Sequence, residues 1–327
     1  MSIGVAIMPA RLRALPADRV FVVVSRLAAL LLLVAVLSFL SPHFLTWANL
    51  INVARQASLQ FLMAAGLTLV ILAGGIDLSV GAVLGLSACL SASLLTAGHP
   101  LSGIAAGLGA GLACGLVNGL LVTYARIPAF IATYGMLWIA HGLGYVFMKG
   151  EVIHGLPPAF RTIGAGFVGG IPVPILIAIG VLIALHGLLH TTVLGRSIYA
   201  IGGNPTAARL SGMPVERRVI AVYGLCGLLA GFTALIVIAR INSADSSVGE
   251  DLLLPAIAAV CLGGTSLFGG IGGVAGTAVG ALILALIVNG MNLLGVPSFW
   301  QNAVMGGIIL LSVLTDQLGG ARLARRK

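Results

Sequence analysis

This sequence predicts an all-α polytopic membrane protein, and three observations carry that prediction. Apolar residues make up 59% of the 327-residue chain and charged residues only 8%, with a mean hydropathy of +1.15. A water-soluble domain carries about 25% charged residues. The apolar runs are continuous and do not alternate, which excludes a porin-like barrel. Finally, the 46 glycines are spread through the apolar runs instead of gathering in linkers, the usage expected where helix backbones pack closely in lipid.

A hydrocarbon core of about 30 Å needs about 20 apolar residues per helix. Apolar runs bounded by charge, proline and glycine give ten predicted spans. The first four cover 20–40, 50–73, 78–97 and 102–124, and the fifth, 127–147, stops before Lys149. The remainder cover 171–190, 218–240, 252–269, 273–294 and 298–316. The whole chain, 1–327, reads as a single transmembrane domain, with a basic tail at 1–19, a loop at 191–217 and a second basic tail at 317–327. The N-terminal stretch is basic but no small-residue cleavage site follows the first run, so that run reads as a retained span. Cys89, Cys114, Cys226 and Cys261 all lie in apolar runs and read as small apolar side chains, not as a disulfide or metal framework.

Placing the N-terminus in the cytoplasm distributes the basic residues unevenly. Twelve fall inside (Arg11, Arg13, Arg19, Arg126, Arg196, Arg209, Arg217, Arg218, Arg322, Arg325, Arg326, Lys327) and four outside (Arg55, Lys149, Arg161, Arg240). Arg26 sits within the first span near its inner end. This satisfies the positive-inside rule, and an even number of spans puts both termini in the cytoplasm. The net charge of +9 is therefore an orientation signal, and nucleic acid is not an expected partner.

Three short matches recur in the same order. GGIDLSVGA (74–82) resembles VGEDLLLPA (248–256), pairing Asp77 with Asp251 at an offset of 174; LVNG (116–119) resembles IVNG (287–290); and RIPAFI (126–131) resembles GVPSFW (295–300). Each offset crosses five predicted spans, an odd number, so the second copy enters from the opposite face. Spans two to five then correspond to spans seven to ten as an inverted-topology repeat, a common transporter architecture. Gly103, Gly107, Gly111, Gly115 and Gly119 recur every fourth residue in the fourth span, and Gly272, Gly276 and Gly280 do so in the ninth. Small residues at this spacing are expected to serve helix packing.

Within the longest inner loop, GRSIYAIGGNPTAARLSGMPVERR carries a complete short-helix signature. Asn204 suits the N-cap, Pro205 the first helical position and Gly212 the residue past the end. Ala207, Ala208 and Leu210 offer apolar contacts while Arg209 stays polar. So short a helix is marginal alone in water, so the bundle or a partner must hold it.

That stretch, together with GGIDLSVGA and CLGGTSLFGG (261–270), resembles the permease subunits of ribose-type ABC importers over residues 45 to 315. The resemblance implies a dimer of permeases, a pair of cytoplasmic ATPase subunits and a periplasmic or lipoprotein substrate-binding protein. It also implies that Asn204–Gly212 is the coupling helix, seated in a cleft of the ATPase, and that the protein is multi-pass in the bacterial inner membrane. Related permeases carry nucleosides or branched-chain amino acids, so a sugar is the leading substrate class with those as alternatives.

The chain's own chemistry is limited. A P-loop needs Lys followed by Ser or Thr after a glycine-rich turn, yet Lys149 precedes Gly150 and the only other lysine is Lys327. ATP hydrolysis is therefore expected on a partner, and no cofactor or metal is expected here. The competing reading, a self-sufficient secondary carrier or channel, usually needs ionisable residues deep in the spans. The eight acids instead fall near predicted boundaries: Asp18, Asp77, Glu216 and Asp316 inside, Glu151, Asp245, Glu250 and Asp251 outside. His186 and His190 stand four apart, but no glutamate follows His186 as a zinc-protease motif requires.

The fifth and tenth spans are repeat counterparts with unusual polar and aromatic content. Thr133, Tyr134, Trp138 and His141 recur at helical spacing, the last three on one face, and Gln301 and Asn302 follow Trp300. These are the candidates for bordering a translocation path. Asp77 and Asp251 each precede an apolar run and suit either an N-cap or a gate. Short outer loops leave Lys149, Glu151, Arg161, Arg240, Asp245, Glu250 and Asp251 to build any docking rim for a binding protein.

Overall fold

A computed structural model describes residues 17–324; the tail before Ala17, with Arg11 and Arg13, and Arg325, Arg326 and Lys327 lie outside the described residues. The chain runs as α1 (Ala17–Leu40), α2 (Trp47–Leu72), α3 (Val80–Thr96), α4 (Pro100–Thr123) and α5 (Ala129–Met148). After β1 (Ile153–His154), the short α6 (Pro158–Ala165), β2 (Phe167–Val168) and β3 (Ile171–Pro172) comes α7 (Val173–Thr191). The inner loop is itself mostly helical, as α8 (Val193–Gly203) and α9 (Pro205–Leu210). The second half comprises α10 (Val215–Ile241), β4 (Ser243–Ala244), α11 (Glu250–Leu262), α12 (Val274–Leu293) and α13 (Phe299–Ala324). The strands form two antiparallel pairs, β1 with β4 and β2 with β3.

Six of the described helices, α2, α4, α5, α7, α10 and α12, are long and apolar enough to cross a membrane. One predicted span is cut short. The run 252–269 was expected as one helix, but α11 stops at Leu262, a rise of about 20 Å at 1.5 Å per residue. Beyond it Gly264, Gly269 and Gly272 all take positive φ, so an apolar but glycine-rich segment folds as turns.

Packing is arranged around α2 and α10, which are buried along most of their lengths. Helix α4 packs on α10 and α12 on α2; α3 packs on α4 and α11 on α12; α5 packs on α3 and α13 on α11. At the α4–α10 crossing the two backbones touch. A Cβ added to Gly111 or Gly115 would strike the carbonyl oxygen of Gly227 or Tyr223, and one on Gly119 would lie 2.7 Å from Cα of Ile220. Gly103 faces α3, where its Cβ would lie 2.9 Å from the Ser91 carbonyl oxygen. In α12, Gly276 and Gly280 meet the carbonyls of Gly263 and Ala259. Gly272 departs from its expected place in that stripe: it lies before α12, with φ +127, against Thr265. With no hydrophobic drive between helices in lipid, such close approach supplies dispersion contact. Side-chain amides add polar ties, as Asn49 of α2 and Asn289 of α12 exchange hydrogen bonds of 3.0 and 2.7 Å. Apolar side chains such as Leu31, Leu32, Phe39 and Ile183 point outward, the inverse of a soluble surface.

Candidate functional site

The α9 segment is built by its own sequence. Asn204 takes an extended backbone and its Oδ1 accepts the N–H of Ala207 at 2.9 Å, while Pro205 begins the helix. Gly212, with φ +78, turns the chain toward α10. The buried side of this hairpin is small: Ala208 packs with Ile201 and Val215. On the other side Leu210 is 85% exposed, and Arg209 donates to Glu216 at 2.6 Å across the turn. An exposed leucine on a six-residue helix beside an open cavity of about 860 Å³, lined by Tyr124, Arg126, Pro205, Arg209 and Glu216, forms a projecting knob with a recess next to it.

Helix α5 presents a ladder of rings. Phe130 stacks with Tyr134 at 6.0 Å, and Tyr134–Trp138 and Trp138–His141 follow edge-on at 6.3 and 6.2 Å. Tyr134 and Trp138 are about half exposed, so this face points away from the rest of the chain. His141 pairs through Nδ1 with Glu250 at 2.8 Å, which ties α5 to the start of α11. Thr133, expected with the rings, is fully buried within the chain, and its hydroxyl donates to the carbonyls of Ala129 (2.8 Å) and Ile76 (3.4 Å). On α13, Gln301 donates to Asn292 at 2.9 Å, and Asn302 is exposed. Among the described residues, neither Gln301 nor Asn302 hydrogen-bonds to the α5 rings.

Asp77 is not the N-cap of α3, as the sequence suggested; Ser79 holds that position. Asp77 Oδ1 accepts both the N–H (2.9 Å) and the hydroxyl (2.6 Å) of Ser79. Asn118 of α4 donates to the same hydroxyl at 2.9 Å, and the Tyr223 hydroxyl of α10 donates to the Ile76 carbonyl at 3.3 Å. Asp77 is 1% exposed, and a buried carboxylate is tolerable only when hydrogen bonds compensate its lost hydration. The cluster thereby pins the α2–α3 connection to α4, α5 and α10.

Asp251 is likewise no cap. It is exposed in the first turn of α11, whose N-cap is Gly249. The structural twin of Asp77 is Asp245: its Oδ1 accepts the N–H (2.8 Å) and hydroxyl (2.5 Å) of Ser247. A signal for this was present and missed. Asp77-Leu78-Ser79-Val80-Gly81 and Asp245-Ser246-Ser247-Val248-Gly249 share four of five residues at an offset of 168. The two motifs meet, since a Cβ on Gly81 would lie 2.8 Å from the Gly249 carbonyl and one on Gly249 would lie 2.6 Å from that of Gly81. The connection 242–249 therefore folds back along α3 and is not a simple outer loop.

These features define a polytopic helical membrane protein with a protruding short helix and an exposed aromatic face. Residues 49–313 match the family described as branched-chain amino acid transport system / permease component. The chain belongs to that family of transport permeases. It is 46% identical over 295 residues to the ribose import permease protein RbsC of Escherichia coli (strain K12), covering 89% of this chain and 92% of that protein. Identity is also 46% to the ribose import permease protein RbsC of Bacillus subtilis (strain 168), covering 88% and 90%. The D-allose transport system permease protein AlsC of Escherichia coli (strain K12) is 37% identical, covering 88% and 90%. No solved structure matches the chain.

Proposed function

We propose that this chain is the membrane-spanning subunit of an ATP-driven importer that passes a sugar, with ribose the first candidate, across a bacterial inner membrane. The observation that carries the reading is 46% identity, over nearly full length, to ribose import permeases of two distant bacteria. In this reading a cytoplasmic ATPase grips α9 and Leu210, a binding protein delivers the sugar from outside, and a second permease copy faces the α5 rings. The exposed Tyr134–Trp138 face and the projecting Leu210 support those contacts.

Ten crossings, with both termini inside, accommodate the helices if α1, α3, α11 and α13 complete the set of six. An inverted repeat is supported by paired helix contacts: α4 on α10 matches α12 on α2, and α3 on α4 matches α11 on α12. The twin Asp-x-Ser-Val-Gly turns, which meet at Gly81 and Gly249, support the same repeat. Alternating access then follows from rocking one repeat against the other: ATPase closure drives α9, and α5 with α13 borders the opening path.

Purification of the tagged chain from its native membrane tests the reading. A stoichiometric P-loop ATPase is expected, as is cross-linking to it from Leu210→Cys and not from the parent chain, whose own cysteines are Cys89, Cys114, Cys226 and Cys261. A chain that purifies without an ATPase, yet concentrates ribose in vesicles on an ion gradient alone, would instead establish a self-sufficient carrier.

A further inference from the structure

Three backbone segments meet beneath α9 with almost no side chain between them. At the end of α8, a Cβ on Gly202 would collide with the Leu72 carbonyl oxygen and lie 2.5 Å from the Gly270 nitrogen. A Cβ on Gly269 would lie 2.9 Å from both the Gly202 oxygen and Cα of Gly74, and one on Gly270 would lie 2.9 Å from the Gly203 nitrogen. The Gly270 N–H donates to the Leu72 carbonyl at 3.0 Å, and the Tyr199 hydroxyl of α8 donates to the Gly272 carbonyl at 2.9 Å. The segments so joined are the end of α8, the α2–α3 connection and the α11–α12 connection.

Each joined segment leads onward. Four residues past Leu72, the Ile76 carbonyl is held by Thr133 of α5 and Tyr223 of α10. On the other side, the turn after α11 is closed by Ser266 N–H to the Ile271 carbonyl (2.9 Å) and Gly273 N–H to Thr265 Oγ1 (3.2 Å), directly before α12. Helix α9 is separated from α8 by Asn204 alone. Close-packed backbone transmits displacement because it has few alternative arrangements, whereas long side chains absorb it by changing rotamer.

We infer that Gly202, Tyr199, Gly269 and Gly270 form a backbone junction that hands the movement of α9 to the α2–α3 and α11–α12 connections, and through Ile76 to α5. They are positioning residues for transport, touching neither sugar nor ATP. The inference rests on the reading that α9 receives the ATPase.

The test is sugar uptake per ATP hydrolysed by the complete importer in proteoliposomes, compared among variants. Gly202→Ala should reduce that ratio about ten-fold or more, because the added methyl forces the three segments apart. Tyr199→Phe, which keeps the ring, should reduce it about two- to ten-fold by removing one hydrogen bond. Gly203→Ala is the control: its Cβ meets nothing within 4 Å, and its ratio should equal the parent's. ATP hydrolysis should persist in all three, since the α9 surface is unchanged. Should Gly202→Ala fail to assemble, the Tyr199→Phe ratio decides. An unchanged ratio, or uptake and hydrolysis falling in equal proportion, would overturn the junction. A parent complex showing no ATP-linked uptake would overturn the importer reading instead.

Discussion

Adding one methyl group at Gly115 tests whether the α4–α10 contact holds the bundle together. The new Cβ would strike the Tyr223 carbonyl oxygen and lie 3.0 Å from its carbon and 3.1 Å from Cα of Gly224, where ordinary contact begins near 3.4 Å. All three are backbone atoms and cannot rotate away, so the helices must part by on the order of 1 Å, forfeiting dispersion along the crossing. Overpacking of this kind costs about 1–3 kcal/mol. Gly109→Ala in the same helix is the internal control, since its Cβ meets nothing within 4 Å; there the substitution should stabilise by about 0.5–1 kcal/mol through lower chain entropy. Thermal denaturation of detergent-solubilised protein, followed by gel filtration, should give Gly115→Ala a lower midpoint by several degrees, at about 2–4 °C per kcal/mol, and Gly109→Ala an equal or higher one. Equal midpoints for the two variants would refute the reasoning.

Other consequences follow from individual contacts. Asn49→Leu leaves the Asn289 amide without its partner and should destabilise by about 1–3 kcal/mol, while Asn49→Leu with Asn289→Leu should recover part of the loss in a double-mutant cycle. Asn204→Ala removes the Oδ1 cap on Ala207, costing about 1 kcal/mol locally; faster proteolysis within 204–212 should report it. His141→Leu removes the partner of Glu250; because both are partly exposed, stability should change by less than about 1 kcal/mol while uptake falls, and full uptake would remove His141 from the path.

Much of this architecture was legible in the sequence because its causes are local. Continuous apolar runs marked the long helices, and Asn204-Pro205 announced α9 because cap and first-turn chemistry need only neighbouring residues. The truncation of α11 was missed although a signal for it was present: 263–273 reads GGTSLFGGIGG, and paired glycines mark turns, which here take positive φ at Gly264, Gly269, Gly270 and Gly272. Asp77 was found, and its partner Ser79 stands only two residues on, but Asn118, which donates to the Ser79 hydroxyl, lies on α4 and emerges only from packing. The match of GGIDLSVGA to VGEDLLLPA paired Asp77 with Asp251, whereas the hydrogen-bonded turn that Asp77 makes with Ser79 recurs at Asp245 and Ser247. The junction glycines were visible only as motif letters, because their role depends on three distant segments meeting.

The most direct measurement is uptake of labelled ribose into proteoliposomes holding this chain with its ATPase, with the binding protein supplied outside and ATP sealed within. Accumulation against a gradient that stops when ATP is replaced by a non-hydrolysable analogue is the predicted result. Accumulation by the chain alone, or none with all components and ATP present for any sugar tested, would contradict it.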